Sequence, residues 1–328
     1  MTTHPQLRFV WLEITGKCQL ECTHCYAESG PTGTHGKMTG PDWHRVIEDA
    51  ARLGVDQVQF IGGEPTLHPD LPRLVDHALV HRMQVEVFSN LVHVPERLWN
   101  VFARPGVSLA TSWYSDDPTE HAAITRRPSH PRTAANVAEA VRRGIPLRVG
   151  IIGVRDGQRV DRASEALTSL GVPAEVIGYD DLRQVGRGVR DATPDVSQLC
   201  GGCADGVLAV SPSGEVWPCV FSRWMPLGNV LSQPLTDVLA GPAVATARAE
   251  LGAAFTARNV HACGPTCGPN CQPISCGPRC VPMTPSCNPK KCNPLDQFCS
   301  PTYQGPGKKC PPRDGQCRPN SCKPMSPR

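Results

Sequence analysis

The sequence predicts an α/β fold, a partial (βα)6 TIM-like barrel followed by a small Cys-rich C-terminal extension. From Leu7 to about Tyr179, short apolar runs alternate with amphipathic stretches, which is the pattern of repeated βα units around a parallel sheet. Eight such units would close a barrel, whereas six leave it open on one side. From His261 to Arg328 the composition changes, because eleven of the seventeen cysteines and frequent prolines lie there.

Each βα unit rests on a strand-like run and a helix-like stretch. The predicted strands are Arg8–Thr15, Gln57–Ile61, Gln84–Phe88, Val107–Trp113, Leu147–Val154 and Ala174–Ile177. Apolar residues at 3–4 spacing predict amphipathic helices around Trp43 to Ala50, Leu71 to Ala78 and Val137 to Val141. Thr39 with Asp42 predicts a capping box at the start of the first helix, and Gly144 predicts a helix C-terminus.

Three further segments follow the predicted barrel domain, residues 1–179. Residues 180–199 are polar and predicted to be a strand-free linker. In residues 200–260, Val207–Val210 and Glu215–Pro218 flank a Ser-Pro-Ser-Gly turn and predict a β-hairpin, with a helix at about 235–250. Residues 261–328 carry too few large aliphatic side chains for a core, so only metal, disulfides or a partner would order them.

Composition excludes several classes of protein. The chain of 328 residues is 40% hydrophobic, which permits a proper core. A net charge of +3 without a concentrated Lys/Arg block argues against nucleic acid as a partner. No apolar stretch reaches the roughly 18 residues needed to cross a membrane, and Met1 to Arg8 lacks a signal-peptide core. A cytoplasmic location is expected, where cysteines favour metal ligation over disulfides.

The most specific motif is CQLECTHC, in which Cys18, Cys22 and Cys25 stand at C-x3-C-x2-C spacing just after the first predicted strand. A four-iron cluster is normally held by four thiolates. Three cysteines would therefore leave one iron open, much as catalytic zinc keeps an open position. A zinc knuckle is the alternative, with His24 as a cramped fourth ligand.

This loop, with Tyr26 after it, resembles the signature of radical S-adenosylmethionine (SAM) enzymes, and the resemblance spans residues 8 to about 180. It implies a [4Fe–4S] cluster on Cys18, Cys22 and Cys25 whose open iron binds the amino and carboxylate groups of SAM. It also implies reductive cleavage of SAM to a 5′-deoxyadenosyl radical, which abstracts hydrogen from a substrate C–H bond. The electron would come from a donor such as flavodoxin or ferredoxin.

Further residues at strand ends extend the resemblance. Gly62-Gly63-Glu64-Pro65 follows the second predicted strand and is similar to the family's GGEP motif, whose backbone and Glu contact the SAM ammonium. Glycines let a main chain approach a ligand closely, and a carboxylate binds an ammonium well. The remaining positions that the resemblance implies to bind SAM are Ser89, Asn90, Ser112 and Arg126, with Arg127 as the alternative to Arg126.

The second region resembles the SPASM or twitch extension, which binds auxiliary iron–sulfur clusters. Cys200 and Cys203 form a C-x2-C pair, and the predicted hairpin returns Cys219 toward them; structural zinc is the alternative. The tail departs from the SPASM spacing. Its nearest candidate ligands are Cys263, Cys267, Cys271, Cys276 and Cys280, and the tail is either an atypical cluster-binding segment or a disordered one.

Together these features predict an enzyme that matures a ribosomally made peptide or a protein side chain. The alternatives are radical SAM oxidation or epimerisation of a small molecule such as a sugar or cyclitol, and a non-catalytic metal-binding scaffold. The substrate and the bond formed are not specified by the sequence. It also singles out no general base, since Tyr114, Asp116, His121 and Arg148 are equally explained as surface or packing residues.

Overall fold

The computed structural model describes residues 7–191 and 193–257, and a nine-stranded sheet runs through both ranges. Its strands are β1 (Phe9–Thr15), β2 (Gln57–Gly62), β3 (Gln84–Phe88), β4 (Val107–Trp113), β5 (Leu147–Gly153), β6 (Ile177–Asp181), β7 (Val207–Val210), β8 (Glu215–Trp217) and β9 (Gly228–Asn229). The order in the sheet is β6-β5-β4-β3-β2-β1-β7-β8-β9. Strands β1 to β6 are parallel to their neighbours, as six successive βα units require.

Helices connect the parallel strands and follow the last strand. They are α1 (Gly40–Arg52), α2 (Leu71–Val80), α3 (Glu96–Phe102), α4 (Pro118–Thr125), α5 (His130–Arg142), α6 (Val160–Ser169), α7 (Leu235–Ala240) and α8 (Pro242–Ala257). The predicted capping box of α1 is confirmed, because Thr39 and Asp42 bond each other's backbone N–H groups. Gly144, with φ of 66°, follows the C-cap of α5 as predicted.

The hydrophobic core lies on both faces of the sheet, as expected for parallel strands covered by helices. All seven residues of β1, an interior strand between β2 and β7, are buried. Large side chains such as Trp43 of α1, Phe60 of β2 and Trp113 of β4 are fully buried. None of the helices in the described ranges is long and apolar enough to span a membrane.

The predicted α/β class and the first five strands agree with the structure to within one residue at each end. The sixth strand was predicted at Ala174–Ile177, and this is wrong. Ala174–Val176 form a 3-10 turn after Pro173, and β6 begins only at Ile177. Because β6 continues through Asp181, the strand-free linker predicted from residue 180 is also wrong at its start. The helix predicted at about 235–250 is two helices, since Gly241 has extended backbone between α7 and α8.

Strand β7 joins the second region to the barrel sheet. The predicted hairpin is confirmed, with β7 and β8 antiparallel and Ala209 opposite Trp217. Its place was not predicted: β7 pairs in parallel with the free edge of β1, Phe9 opposite Val207. The cysteine-bearing second region is therefore a continuation of the sheet that carries the first cysteine loop. The tail candidates Cys263, Cys267, Cys271, Cys276 and Cys280 lie outside the described residues.

Candidate active site

A cavity opens at the carboxyl ends of the parallel strands, where barrel enzymes place their chemistry. Its empty space is about 1020 Å³, including the mouth. The strand ends contribute Ile61, Phe88, Ser112, Ile152 and Asp180 to its wall. The loop after β1 contributes Cys18, Cys22, His24, Cys25 and Tyr26, and the loop after β2 contributes Gly62 and Gly63. The topology thus brings the three cysteines and the glycine pair to one wall.

The loop that carries Cys18, Cys22 and Cys25 is fixed by backbone hydrogen bonds. Cys18 N donates to Gly30 O at 3.0 Å, which closes the base of the loop, and Cys25 N donates to Cys22 O at 3.3 Å. Thr23 N donates to the carbonyl of Ile124, at the end of α4, at 2.9 Å. The three thiols are therefore presented by a preformed loop and not by a mobile arm.

The surroundings of these thiols fit a bound iron–sulfur cluster. Cys18 Sγ accepts hydrogen bonds from Leu20 N at 3.4 Å and from Asn90 Nδ2 at 3.6 Å. Burial, followed by the nearby Glu64 carboxylate, raises the pKa of Cys18 to about 12. Burial and the neighbouring thiols raise the pKa of Cys22 as well. Thiolates crowded in such a place need a cationic partner, which the irons of a cluster would supply.

Residues 183–190, part of the predicted linker, hold the cysteine loop from the other side. Arg187 Nε donates to Cys22 O at 2.9 Å and Arg187 Nη2 donates to Ser29 O at 2.6 Å, while the backbone N–H of Arg187 bonds Cys25 O at 3.0 Å. Gly186 has φ of 57°, and a Cβ there would lie 2.7 Å from Cys25 O and closer still to Tyr26 O. Only glycine allows this approach.

Gly186→Ala should therefore loosen the cysteine loop and lower its iron content after anaerobic reconstitution. The left-handed backbone alone costs about 1–2 kcal/mol for a non-glycine residue, and the collision with the loop adds to this. Gly144→Ala is the matched control, because Gly144 has φ of 66° but nothing within 4 Å of the added Cβ. Iron and sulfide assays with thermal unfolding check the prediction; equal iron loss in both variants would contradict it.

The glycines after β2 let two loops meet. A Cβ on Gly63 would lie 2.7 Å from the carbonyl carbon of Lys17, and Gly62 has φ of 132° against Thr15. Gly63 N donates to Thr15 O at 2.6 Å, and Glu64 N donates to Lys17 O at 2.9 Å. Substitution of either glycine would therefore separate this wall of the cavity from the cysteine loop.

Glu64 does not line the cavity, although the sequence predicts that it binds the SAM ammonium. The carboxylate is fully buried behind the wall, where Oε1 accepts from Ser89 Oγ at 2.7 Å and Thr66 N at 3.0 Å, and Oε2 accepts from Asn90 N at 2.7 Å. Glu64 therefore positions the end of β3 from behind. Pro65 and Ser89 are likewise buried outside the cavity lining. Direct contact of these three residues with SAM stays a prediction.

Two other predicted SAM-binding residues line the cavity and one does not. Asn90 bridges from Cys18 Sγ to Gln19, whose Nε2 donates to Asn90 Oδ1 at 3.0 Å. Ser112 lies at the end of β4 on the same wall. Arg126 is exposed at the left-handed C-cap of α4 and is not part of the lining, and its neighbour Arg127 pairs with Glu21 at 2.9 Å. The structure thus gathers Asn90 and Ser112, but not Arg126, around the cysteine loop.

Aromatic rings form one side of the cavity. His24 lies edge-on to Tyr114 with 5.0 Å between ring centroids, and Tyr114 contacts His121 at 5.4 Å. Burial, and then the nearby Arg187, lowers the pKa of His24 to about 4. His24 is therefore neutral at pH 7 and offers a flat apolar face beside the cysteines. Tyr114 and His121, which the sequence could not distinguish from packing residues, both line the cavity.

A carboxylate–guanidinium pair, Asp180 and Arg183, lies at the open side of the cavity, where β6 is the edge strand. Asp180 is buried and lies 3.4 Å from Arg183, whose guanidinium stacks 5.5 Å from the Phe221 ring. Burial raises the pKa of Asp180 to about 7 in spite of Arg183. A carboxyl group in this condition can exchange a proton near neutral pH. Sequence reasoning missed both residues, because it placed them in a linker.

The second cysteine set is also assembled. Cys203 Sγ and Cys219 Sγ are 2.9 Å apart and buried, and Cys200 Sγ accepts from Gly202 N at 3.5 Å. The hydrogen bonds that Cys203 shares with Cys200 and Cys219, together with burial, raise the pKa of Cys203 well above its usual value. The predicted return of Cys219 by the hairpin is correct. Three soft sulfur donors in contact fit an auxiliary iron–sulfur cluster or a zinc ion equally well.

A buried polar bridge connects the two cysteine sets. Arg223, shortly after Cys219, donates from Nη2 to both oxygens of buried Glu13 in β1, at 2.6 and 2.5 Å. The guanidinium also lies 5.3 Å from the ring of Tyr26, which follows Cys25. Phe221 packs on Tyr26 with 5.2 Å between centroids. The two sets therefore share one wall.

Comparison with known proteins gives two domain matches. Residues 12–166 match the radical SAM superfamily, and residues 200–272 match SPASM, an iron–sulfur cluster-binding domain. A PqqA peptide cyclase of Streptomyces rochei is 27% identical over an alignment of 270 residues, covering 69% of this chain and 74% of that protein.

Solved structures share the fold. Streptococcus suis SuiB bound to S-adenosylmethionine superposes with a TM-score of 0.60 at 15% identity, covering 73% of this chain and 67% of SuiB. SuiB bound to the precursor peptide SuiA gives the same TM-score at 14% identity, covering 73% and 66%.

The two matched domains account for both cysteine sets. A radical SAM domain uses a [4Fe–4S] cluster and SAM, and a SPASM domain binds auxiliary iron–sulfur clusters; these are the cofactors of this enzyme. The radical SAM match includes Cys18, Cys22 and Cys25, which line the cavity at the carboxyl ends of the parallel strands. The SPASM match includes Cys200, Cys203 and Cys219. This chain therefore carries a radical SAM domain, matched over residues 12–166, followed by a SPASM domain, matched over residues 200–272.

Proposed function

We propose that this enzyme matures a ribosomally made peptide or a protein side chain. The observation that carries the proposal is that one sheet and the Glu13–Arg223 bridge join the two cysteine sets. Both lie beside a cavity on the open partial barrel. An opening of this kind admits an extended chain more readily than a closed barrel does. The relatives support the same substrate class, since one is named a PqqA peptide cyclase and another is solved with a precursor peptide.

In this proposal each part of the cavity wall has a role. Cys18, Cys22 and Cys25 hold the [4Fe–4S] cluster, and Gly62, Gly63, Asn90 and Ser112 face SAM. The bound cluster and SAM supply reductive cleavage of SAM and removal of a hydrogen atom from the substrate. The protein holds the substrate carbon in place and excludes water, which are the tasks left to the protein in cofactor enzymes.

The second region and the open side serve the substrate. Cys200, Cys203 and Cys219 hold an auxiliary cluster, with tail ligands from Cys263, Cys267 and Cys271. Asp180, with its pKa near 7, takes up the proton that an oxidised substrate releases. A flavodoxin- or ferredoxin-type protein supplies electrons in the cytoplasm. The proposed division is a core of residues 1–179, a connecting segment 180–199 that clamps the cysteine loop, an auxiliary region 200–260 and the tail 261–328.

The test is anaerobic reconstitution of the full chain with iron and sulfide, followed by iron counting and EPR spectra before and after addition of SAM. With dithionite we expect 5′-deoxyadenosine, and about eight or more irons per chain if an auxiliary cluster is present. Short peptides encoded beside the gene are the substrates to supply. A mass loss of about two hydrogens in such a peptide would support maturation.

Two results would overturn the proposal at different levels. Failure to form 5′-deoxyadenosine in the iron-loaded protein would contradict SAM cleavage itself. The substrate class alone would be contradicted if none of the peptides encoded beside the gene accelerates 5′-deoxyadenosine formation and the enzyme instead converts a sugar or cyclitol. Asp180→Asn separates the proton step, since we expect it to slow product formation about 10²-fold or more while SAM cleavage without substrate continues.

A further inference from the structure

A cluster of histidine and glutamate side chains lies between α1 and α2, outside the site described above. Glu48 of α1, His77 of α2 and His81, the C-cap residue of α2, offer donor atoms that all lie within 4.8 Å of one another. His44, one turn before Glu48 on α1, stacks on His77 with ring centroids 4.3 Å apart and an interplanar angle of 22°. We propose that Glu48, His77 and His81 form a binding site for a divalent transition-metal ion of the zinc class.

The distances are compatible with ligands of one metal ion. His77 Nε2 lies 3.2 Å from Glu48 Oε1. Two ligand atoms bound to one tetrahedral zinc, with bonds of about 2.0–2.2 Å, are about 3.3 Å apart. The Nε2 atom itself is shielded from solvent, although the His77 side chain is 23% exposed, and Glu48 is the polar group that it faces. An imidazole nitrogen that is shielded from solvent and faces a carboxylate at ligand spacing indicates a place for a cation between them.

The chemistry of the donors also favours this class of metal. Two imidazoles and one carboxylate are the protein ligands of many three-ligand zinc sites, with water in the fourth position. The His77–His81 pair has i, i+4 spacing at the end of α2, so both side chains project from one face.

The site would brace two functional loops from a distance. Helix α1 follows the cysteine loop, and α2 follows the Gly62–Pro65 loop. A metal held by Glu48 on one helix and His77 and His81 on the other fixes the two helices to each other. We expect zinc to stabilise the protein against heat without being needed for SAM cleavage, because the donors lie outside the cavity lining.

Zinc titration of the iron-loaded enzyme under anaerobic conditions, in competition with a chromophoric chelator, tests the site. Wild type should bind one equivalent more than His77→Ala/His81→Ala. His93→Ala is the matched control, since His93 is exposed and lies outside the cluster, and it should bind as wild type does. Zinc bound only by cysteines would give equal stoichiometry in all three proteins, and that result would overturn the proposal.

Glu48→Gln keeps the inference testable if the double variant does not fold. This nearly isosteric change removes the charged ligand, so we expect zinc affinity to fall at least about 10-fold, with normal iron content and unchanged 5′-deoxyadenosine formation. Zinc should raise the unfolding temperature of wild type and of His93→Ala, but not of the double variant. An unchanged affinity in Glu48→Gln would refute the site independently.

Discussion

Cys22→Ala is expected to abolish 5′-deoxyadenosine formation and to remove about four irons per chain, because one of the three ligands that we propose for the first cluster is lost. Changes in residues that merely support a metal ligand already cost about 10–100-fold, so the loss of a ligand should reduce SAM cleavage by at least 100-fold. Arg187 and the Ile124 carbonyl hold the loop backbone and not the Cys22 thiol, so the loop should keep its shape in the variant.

Cys203→Ala is the counterpart that makes this prediction specific. Cys203 is also buried among thiols, but it belongs to the second set. Iron should fall in this variant too, whereas SAM cleavage in the absence of substrate should persist. EPR of the dithionite-reduced proteins, iron assays and chromatography of 5′-deoxyadenosine give the comparison. Substantial SAM cleavage by Cys22→Ala, or none by Cys203→Ala, would show that the roles of the two sets are assigned wrongly.

Arg223→Met should destabilise the protein by about 3–5 kcal/mol, the usual effect of leaving one member of a buried ion pair alone. Glu13 would keep its place in the interior strand β1 without a counter-charge. Burial already raises the pKa of Glu13 above 4.5 in the folded protein. The folded variant will therefore bind a proton that the unfolded chain releases, so its free energy of unfolding should fall as the pH rises above about 4.5.

Urea unfolding followed by tryptophan fluorescence measures this effect. Arg162→Met is the control, because Arg162 pairs with Glu165 on the surface of α6 and should contribute no more than about 0.5 kcal/mol. Glu13→Gln/Arg223→Met should recover a large part of the loss, since the buried charge is gone. If the double variant is as unstable as Arg223→Met, packing of Arg223 on Trp217 at 4.5 Å is the larger contribution.

Local sequence patterns predicted the strands and helix caps that depend on residues close together in the sequence. Strands β3 and β4 and the capping box of α1 follow from apolar runs and from Thr39 with Asp42. Strand β6 was misplaced because an edge strand that ends in Tyr179, Asp180 and Asp181 lacks the apolar run of a buried one. Gly241 divided a helix that periodicity alone would have continued.

The sequence predicted the cysteines and glycines of the candidate site but not the residues that hold them in place. The spacing of Cys18, Cys22 and Cys25 is a local signal, and so is the glycine pair after β2. The clamp by Gly186 and Arg187 depends on contacts across some 160 positions of the chain, which no local pattern reports. Glu64 points away from the cavity because it bonds Ser89 and Asn90, which belong to another loop. The two glycines on either side of Arg187, Gly186 and Gly188, were the local signal that could have indicated a close approach of two chain segments there.

The pairing of β7 with β1 sets the order of events when the chain is synthesised. Phe9 and its partner Val207 are about 200 residues apart in the sequence. One edge of β1 therefore stays unpaired until most of the described chain has left the ribosome. The first cysteine loop leaves the ribosome early on that unfinished strand, and the residues that clamp it follow much later. The cysteine loop therefore lacks its clamp until residues 183–190 have been made, and a nascent chain halted before β7 exposes a strand edge that favours aggregation.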